Sequence, residues 1–155
     1  MEQIKHVIYL MLENRSFDNI AGYWTFNKDI DNLVDKPHCN AYVSENYTVW
    51  DQAFYVCSQP YEQEVPLRDP DHGFAGTNYE LFQDFTPTSN MTPTMGGFVQ
   101  REQQMYNATP GQTSFVIEGF SEDKSNILAT LAKNYAMLDR YVCAITSFSV
   151  SLSSI

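Results

Sequence analysis

The chain opens on its longest apolar run, Ile4–Leu12 (IKHVIYLML). A near-continuous run rich in Val, Ile and Leu reads as a strand buried on both faces, as in a parallel sheet. The polar Glu13-Asn14-Arg15 ends it, and Ser16 is placed to cap a short helix over Phe17–Trp24. Residues 25–72 follow no helical or strand period and read as an ordered excursion, with a short extended piece over Tyr47–Tyr55. A helix is expected over Phe74–Asp84, with Phe74, Leu81 and Phe82 on its apolar side. A second runs from Gly96-Gly97 through Tyr106, with Phe98, Met105 and Tyr106 inward. The strongest helical period lies in Glu122–Leu138, where Ser121 is the expected cap and Ile127, Leu128, Leu131, Ala132, Tyr135 and Leu138 share a face. Asp139-Arg140-Tyr141 would then start another strand. From Val142 to Ile155 the chain (VCAITSFSVSLSSI) turns Ser-rich and uncharged, and reads either as an edge strand or as translated non-coding sequence.

Composition narrows the function. Hydrophobic residues make up 43% of the 155 positions, enough for a core and against a disordered tail. The formal net charge is -10, and the nine Lys and Arg do not cluster. A nucleic-acid binder needs a basic stripe, so that class is excluded. No segment reaches the roughly 20 apolar residues of a membrane span, and no protein partner is inferred. An acidic chain that handles phosphate needs a cation or local basic groups to reverse the field at the site.

Candidate chemistry sits at two places. Glu13 and Asn14, just past the first strand, offer a carboxylate and an amide oxygen, hard donors suited to a divalent metal. At the carboxyl end of such a strand, open α/β sheets hold their ligands. The second place is Asp69-Pro70-Asp71-His72, where prolines stiffen a turn and His72 can contact a phosphate oxygen or move a proton. His6 reads as a core residue and His38 as a solvated loop residue. No GxSxG elbow, phosphate-binding P-loop or HExxH motif occurs. The serines Ser147, Ser149, Ser151, Ser153 and Ser154 have no partner base, so the chain offers no nucleophile.

Cys39 and Cys57 flank a polar, Tyr-rich segment; either a disulfide closes it or both remain buried thiols. Cys143 is the odd cysteine. Sequons begin at Asn14, Asn46, Asn90 and Asn107. Those at Asn46, Asn90 and Asn107 lie in turn-like sequence and suit surface glycosylation, which leans toward a secretory origin. Met1 is nevertheless followed by no charged segment and long apolar leader. The chain is therefore either intracellular or without its leader.

The blocks IKHVIYLMLENRSFDNIAGYW, VPLRDPDH, PTMGGFVQRE and YNATPG, in this order, closely resemble the phosphoesterase family of bacterial phospholipases C and acid phosphatases, most of all its fungal secreted members. The resemblance implies an α/β fold, part of an alkaline-phosphatase-like three-layer α/β/α sandwich with a mostly parallel sheet, incomplete at the C-terminus. It implies residues 1–141 as the N-terminal part of the phosphoesterase domain and 142–155 as a tail unlike the family. It matches Glu13 and Asn14 to metal ligands and His72 to a histidine that contacts the substrate phosphate. The expected activity is metal-dependent cleavage of phosphoesters, phospholipid diesters in phospholipases C and monoesters in acid phosphatases, with a divalent cofactor. The full-length family members are secreted. Family members carry their Ser or Thr nucleophile just after the segment matching Asp139–Tyr141, and later Asp and His ligands follow. Here Val142–Ile155 stands in place of the nucleophile stretch, and the later Asp and His ligands are expected beyond position 155, so a non-catalytic fragment is the third reading.

Overall fold

A computed structural model describes residues 4–10, 15–42, 54–61 and 68–139. Glu13, Asn14, Asn46, most of the expected Tyr47–Tyr55 segment, the start of the expected strand at Arg140 and the 142–155 tail lie outside the described residues. The described chain is mixed α/β, with five helices, two 3-10 turns and two small sheets.

Helix α1 (Phe17–Ala21) begins where its cap predicts. Ser16 Oγ accepts a hydrogen bond from the Asn19 backbone N–H at 3.1 Å, satisfying one of the free amides of the first turn. The helix ends earlier than expected, because Gly22 leaves the helix and Leu33 N–H takes up its carbonyl at 2.7 Å. Strands β1 (Cys39–Tyr42) and β2 (Phe54–Cys57) pair antiparallel, with Cys39 opposite Cys57. The two cysteines are joined by a disulfide. Strands β3 (Pro60–Tyr61) and β4 (Gly119–Phe120) form a short parallel bridge, with Pro60 confined to the first position of its strand.

Helix α2 (Phe74–Phe82) and helix α3 (Phe98–Tyr106) follow closely on the expected spans. Between them the chain turns tightly: Thr94 and Met95 N–H both donate to the Leu81 carbonyl, and Gly97 N–H donates to Glu80. A Cβ at Gly97 would lie 2.1 Å from the Tyr79 carbonyl oxygen, so only glycine permits this approach. Helix α3 ends at Asn107, whose φ of 48° is left-handed, a conformation asparagine tolerates. Helix α4 (Pro110–Thr113) follows, started by Pro110 at its first position and a reciprocal Thr109–Gln112 capping box. The 3-10 turn Ser114–Val116 completes this stretch.

The last helix is shorter than its period suggested. Glu122–Ser125 is a 3-10 turn, and α5 covers Asn126–Asn134. The Ser121 hydroxyl bonds the Asp123 carboxylate instead of capping a backbone amide.

Two separate cores form among the described residues. Ala21, Trp24, Ile30 and Ala129 make the first, flanked by Phe17, Ile20, Phe26, Ala132 and Met137. Trp24 alone contributes on the order of 5 kcal/mol as an upper bound from buried area. Its indole N–H donates to Ser125 Oγ at 2.9 Å, which avoids the loss of about 1–3 kcal/mol for a buried orphan donor. Val56, Phe98, Val99 and Ile117 make the second core, where α3 packs on the ribbon of β1 and β2.

The expected helix faces need correction. On α2 the fully buried residues are Gly76, Thr77 and Glu80; Leu81 packs against the second core as expected, while Phe74 is exposed. On α3 Phe98 is buried as expected, but Val99 and Glu102 join it and Met105 and Tyr106 do not. On α5 only Ala129 is fully buried, whereas Ile127, Leu128 and Leu131 are exposed, as are Tyr135 and Leu138 beyond its end. The first run is corrected too. Residues 4–10 form no regular element, and Ile8 is 92% exposed. A strand requires a neighbouring ladder, and neither described sheet offers one to this run. His6 within it is exposed rather than core.

Reduction of Cys39–Cys57 is expected to lower the unfolding free energy by about 3 kcal/mol, the usual value for a loop of this length. The urea midpoint of oxidised and reduced protein reads this directly. An unchanged midpoint would mean that side-chain packing alone fixes the ribbon.

Candidate phosphate-contact site

The candidate loop lies between the described stretch starting at Arg68 and the N-terminus of α2. His72 is exposed, and its Nε2 lies 3.3 Å from Asp69 Oδ2. The loop around it is held firmly. Asp71 Oδ1 accepts from the N–H of Gly73, the residue just before α2, at 2.9 Å. Asp71 Oδ2 receives Arg101 Nε at 2.7 Å and Arg101 Nη2 at 2.6 Å. Charge-assisted bonds of this length are the strong ones. Arg101 comes from α3 and also stacks over the Phe85 ring, with its guanidinium carbon 5.2 Å from the centroid. Tyr106 Oη donates to the Asp69 carbonyl at 2.8 Å, and Arg68 lies over the Tyr106 ring.

Beneath this loop, α2 and α3 bury two carboxyl groups. Glu80 is 4% exposed and Glu102 is 2% exposed. Glu80 Oε2, both Glu102 oxygens and Arg68 Nη1 have no hydrogen-bond partner among the described residues. Burial, reinforced by the nearby Asp71 charge and opposed by Arg101, pushes Glu80 up to about 8. Burial likewise pushes Glu102 up to about 7, against the opposing charge of Arg68. The smaller rise at Glu102 fits its two arginine neighbours. At neutral pH Glu80 therefore holds its proton, and Arg101 answers mainly to Asp71.

Sequence reasoning singled out His72 and the turn before it but missed Arg101, Glu80 and Glu102. Arg101 and Glu102 stand inside the quoted PTMGGFVQRE block, where charges on a helix read as a solvent face. Their pairing with a turn 30 residues earlier leaves no local signal. His38, expected in solvent, is half-buried: its Nε2 lies 2.7 Å from the Met95 carbonyl, to which Asn40 also donates. Asn90 and Asn107 are both exposed. Among the described residues no three His, Cys, Asp or Glu side chains group to hold a metal, and no helix is long and apolar enough to cross a membrane.

A family model described as the phosphoesterase family matches residues 4–151. The chain belongs to the phosphoesterase family. Among curated relatives it is similar to non-specific phospholipase C6 of Arabidopsis thaliana, 31% identical over 92% of this chain and 25% of that protein. It is similar also to non-specific phospholipase C1 of the same plant, 27% identical over 92% of this chain and 25% of that protein. Non-specific phospholipase C5 is 29% identical over 92% of this chain and 27% of its own length. The chain spans about a quarter of the length of the curated relatives it matches. The described loop of His72 and both helices that hold it fall inside the phosphoesterase match.

The buried carboxyls of this phosphoesterase chain make its stability pH-dependent. Both groups hold their protons more tightly folded than unfolded, since their folded values lie above the ordinary 4.5. Their stabilising protonation is complete below about 4.5 and is lost as pH rises through about 7 and about 8. At about 1.4 kcal/mol per unit the loss amounts to several kcal/mol at most. Unfolding free energy is expected to fall between pH 5 and 9, and Glu80→Gln is expected to flatten the fall. Urea titrations across that range check it; equal slopes for variant and wild type would contradict it.

Proposed function

We propose that the protein is a metal-dependent phosphoesterase of the phospholipase C type, acting on the phosphodiester of phospholipids. The observation that carries this reading is the family match over residues 4–151, together with relatives named as non-specific phospholipases C. Glu13 and Asn14 are the proposed metal ligands. Their donor atoms are hard oxygens, which fit a divalent cation. That cation, when bound, polarises the phosphoryl group toward attack by a hydroxyl nucleophile. This chain's own contribution is to bind and orient. His72 would donate to a phosphate oxygen, with Asp69 orienting the ring, and Arg68 would offset the acidic surface near the phosphate. We assign no nucleophile within the described residues.

The alkaline-phosphatase-like sandwich is the architecture we propose for the domain. The exposed apolar side chains of residues 4–10 support it, since such a run is stable only when covered. Secretion and glycosylation at Asn46, Asn90 and Asn107 are proposed with it; exposure of Asn90 and Asn107 is compatible with modification. The same uncovered run favours a second reading, a chain that holds a phosphoester without cleaving it. A phosphomonoesterase of acid phosphatase type is separated by substrate.

Hydrolysis of p-nitrophenyl phosphorylcholine and p-nitrophenyl phosphate, with and without divalent cations, tests the proposal. The diester is expected to be preferred, with cation-dependent turnover. Glu13→Ala is expected to cost more than about 100-fold, beyond the loss from removing a ligand's supporting hydrogen bonds. Preference for the monoester would favour the acid phosphatase. No turnover of either ester by folded, cation-supplemented protein would overturn catalysis and leave the binding reading.

A further inference from the structure

The geometry points to Asp71, gripped by Arg101, as a positioning residue that fixes the His72 loop against α2 and α3. The inference rests on the reading of His72 as a phosphate contact and adds what holds it in place. Three observations converge on Asp71.

The first is the ion pair. One carboxylate oxygen takes both Arg101 nitrogens, at 2.6 and 2.7 Å, and both side chains are largely buried. A partly buried pair with two charge-assisted bonds has a defined geometry, unlike a solvated surface pair. The second is the helix beneath. A Cβ at Gly76 would stand 2.0 Å from Asp71 Oδ2 and 2.5 Å from Oδ1, so the carboxylate lies directly on bare α2 backbone. Its other oxygen accepts the Gly73 N–H at the start of that helix. Asp71 thus ties the loop to the N-cap residue of α2. The third is the second tether. Tyr106 Oη holds the Asp69 carbonyl from the end of α3, two residues before Asp71.

His72 is flanked on both sides by these anchors, while its own ring is exposed. A side chain that must meet a phosphate at a fixed place needs support from groups whose own positions are locked. Arg101 is locked in turn by the Phe85 ring. Glu80 and Glu102 lie beside it; protonated, they leave its charge to Asp71.

Inorganic phosphate is titrated into the full chain while the His72 ring is followed by carbon-detected and proton-detected NMR. Hydrogen exchange at the Gly73 amide is read in parallel, and the Trp24 indole N–H reports the distant core. In wild type the His72 resonance is expected to shift on phosphate addition. Arg101→Gln and Asp71→Asn are each expected to weaken that response about tenfold and to speed Gly73 exchange by a similar factor, with Trp24 unchanged. Arg101→Lys is expected to recover part of it. Tyr106→Phe, which keeps the ring under Arg68, gives a milder loss and serves if the charge variants do not fold.

Asp71→Asn separates positioning from direct binding. If Arg101 met phosphate itself, freeing it would tighten the response, and the proposal would be overturned. Unchanged His72 response and Gly73 exchange in these variants would overturn it as well. A wild-type His72 that ignores phosphate would overturn the reading on which the inference rests, whatever the variants do to Gly73.

Discussion

The seating of α3 on the β1–β2 ribbon is the contact on which the described structure depends. It is made by a buried asparagine as much as by apolar packing. Asn40, 1% exposed, accepts the Val99 N–H in the first turn of α3 through Oδ1 and donates through Nδ2 to the Met95 carbonyl. Gly97 precedes the helix and has no side chain to cap it. The ribbon therefore supplies the cap from 59 residues away. Val99 and Phe98 then bury against Val56 and Ile117. The disulfide holds the end of the ribbon that carries Asn40.

From that seat α3 reaches in two directions. Its inner face closes the second core, and its other side carries Arg101, Glu102 and Tyr106 to the loop before α2. The α2–α3 junction is thus a polar interface in which carboxyls are buried at a cost. An unpaired buried carboxylate is expensive, and protonation is the cheaper state. The loop's rigidity and the pH sensitivity of the junction have one origin. Few apolar side chains are available there, so charge pairing fixes the geometry. The first core, around Trp24 and Ala129, stands apart and shares none of these groups.

Much of the local structure was legible in the sequence, because local structure has local causes. Ser16 announced α1 through its hydroxyl, and Gly96-Gly97 announced α3 through the bend it requires. Helix faces were read less well. The rule that apolar residues turn inward held for Phe98 and Leu81 but did not foresee Glu80, Thr77 and Glu102 inside or Phe74 outside. Nothing local distinguishes a buried, paired charge from a solvated one. The apolar run at Ile4 and the stripe of α5 show the complementary limit: a pattern states that a surface suits burial, and only a facing element buries it. At the candidate site, the motif named His72, but Arg101 emerged only from the fold. Glu13 and Asn14 rest on sequence alone, since they lie outside the described residues.

The central claim is that α3 transmits the order of the ribbon to the His72 loop. Native-state hydrogen exchange of Asn40→Ala tests it most directly, because Asn40 touches neither the loop nor its anchors. The account predicts faster exchange at Val99 and, together with it, at Gly73, while the Trp24 indole keeps its protection. Faster exchange confined to Val99, with Gly73 as slow as in wild type, would contradict it and make the loop an independent unit.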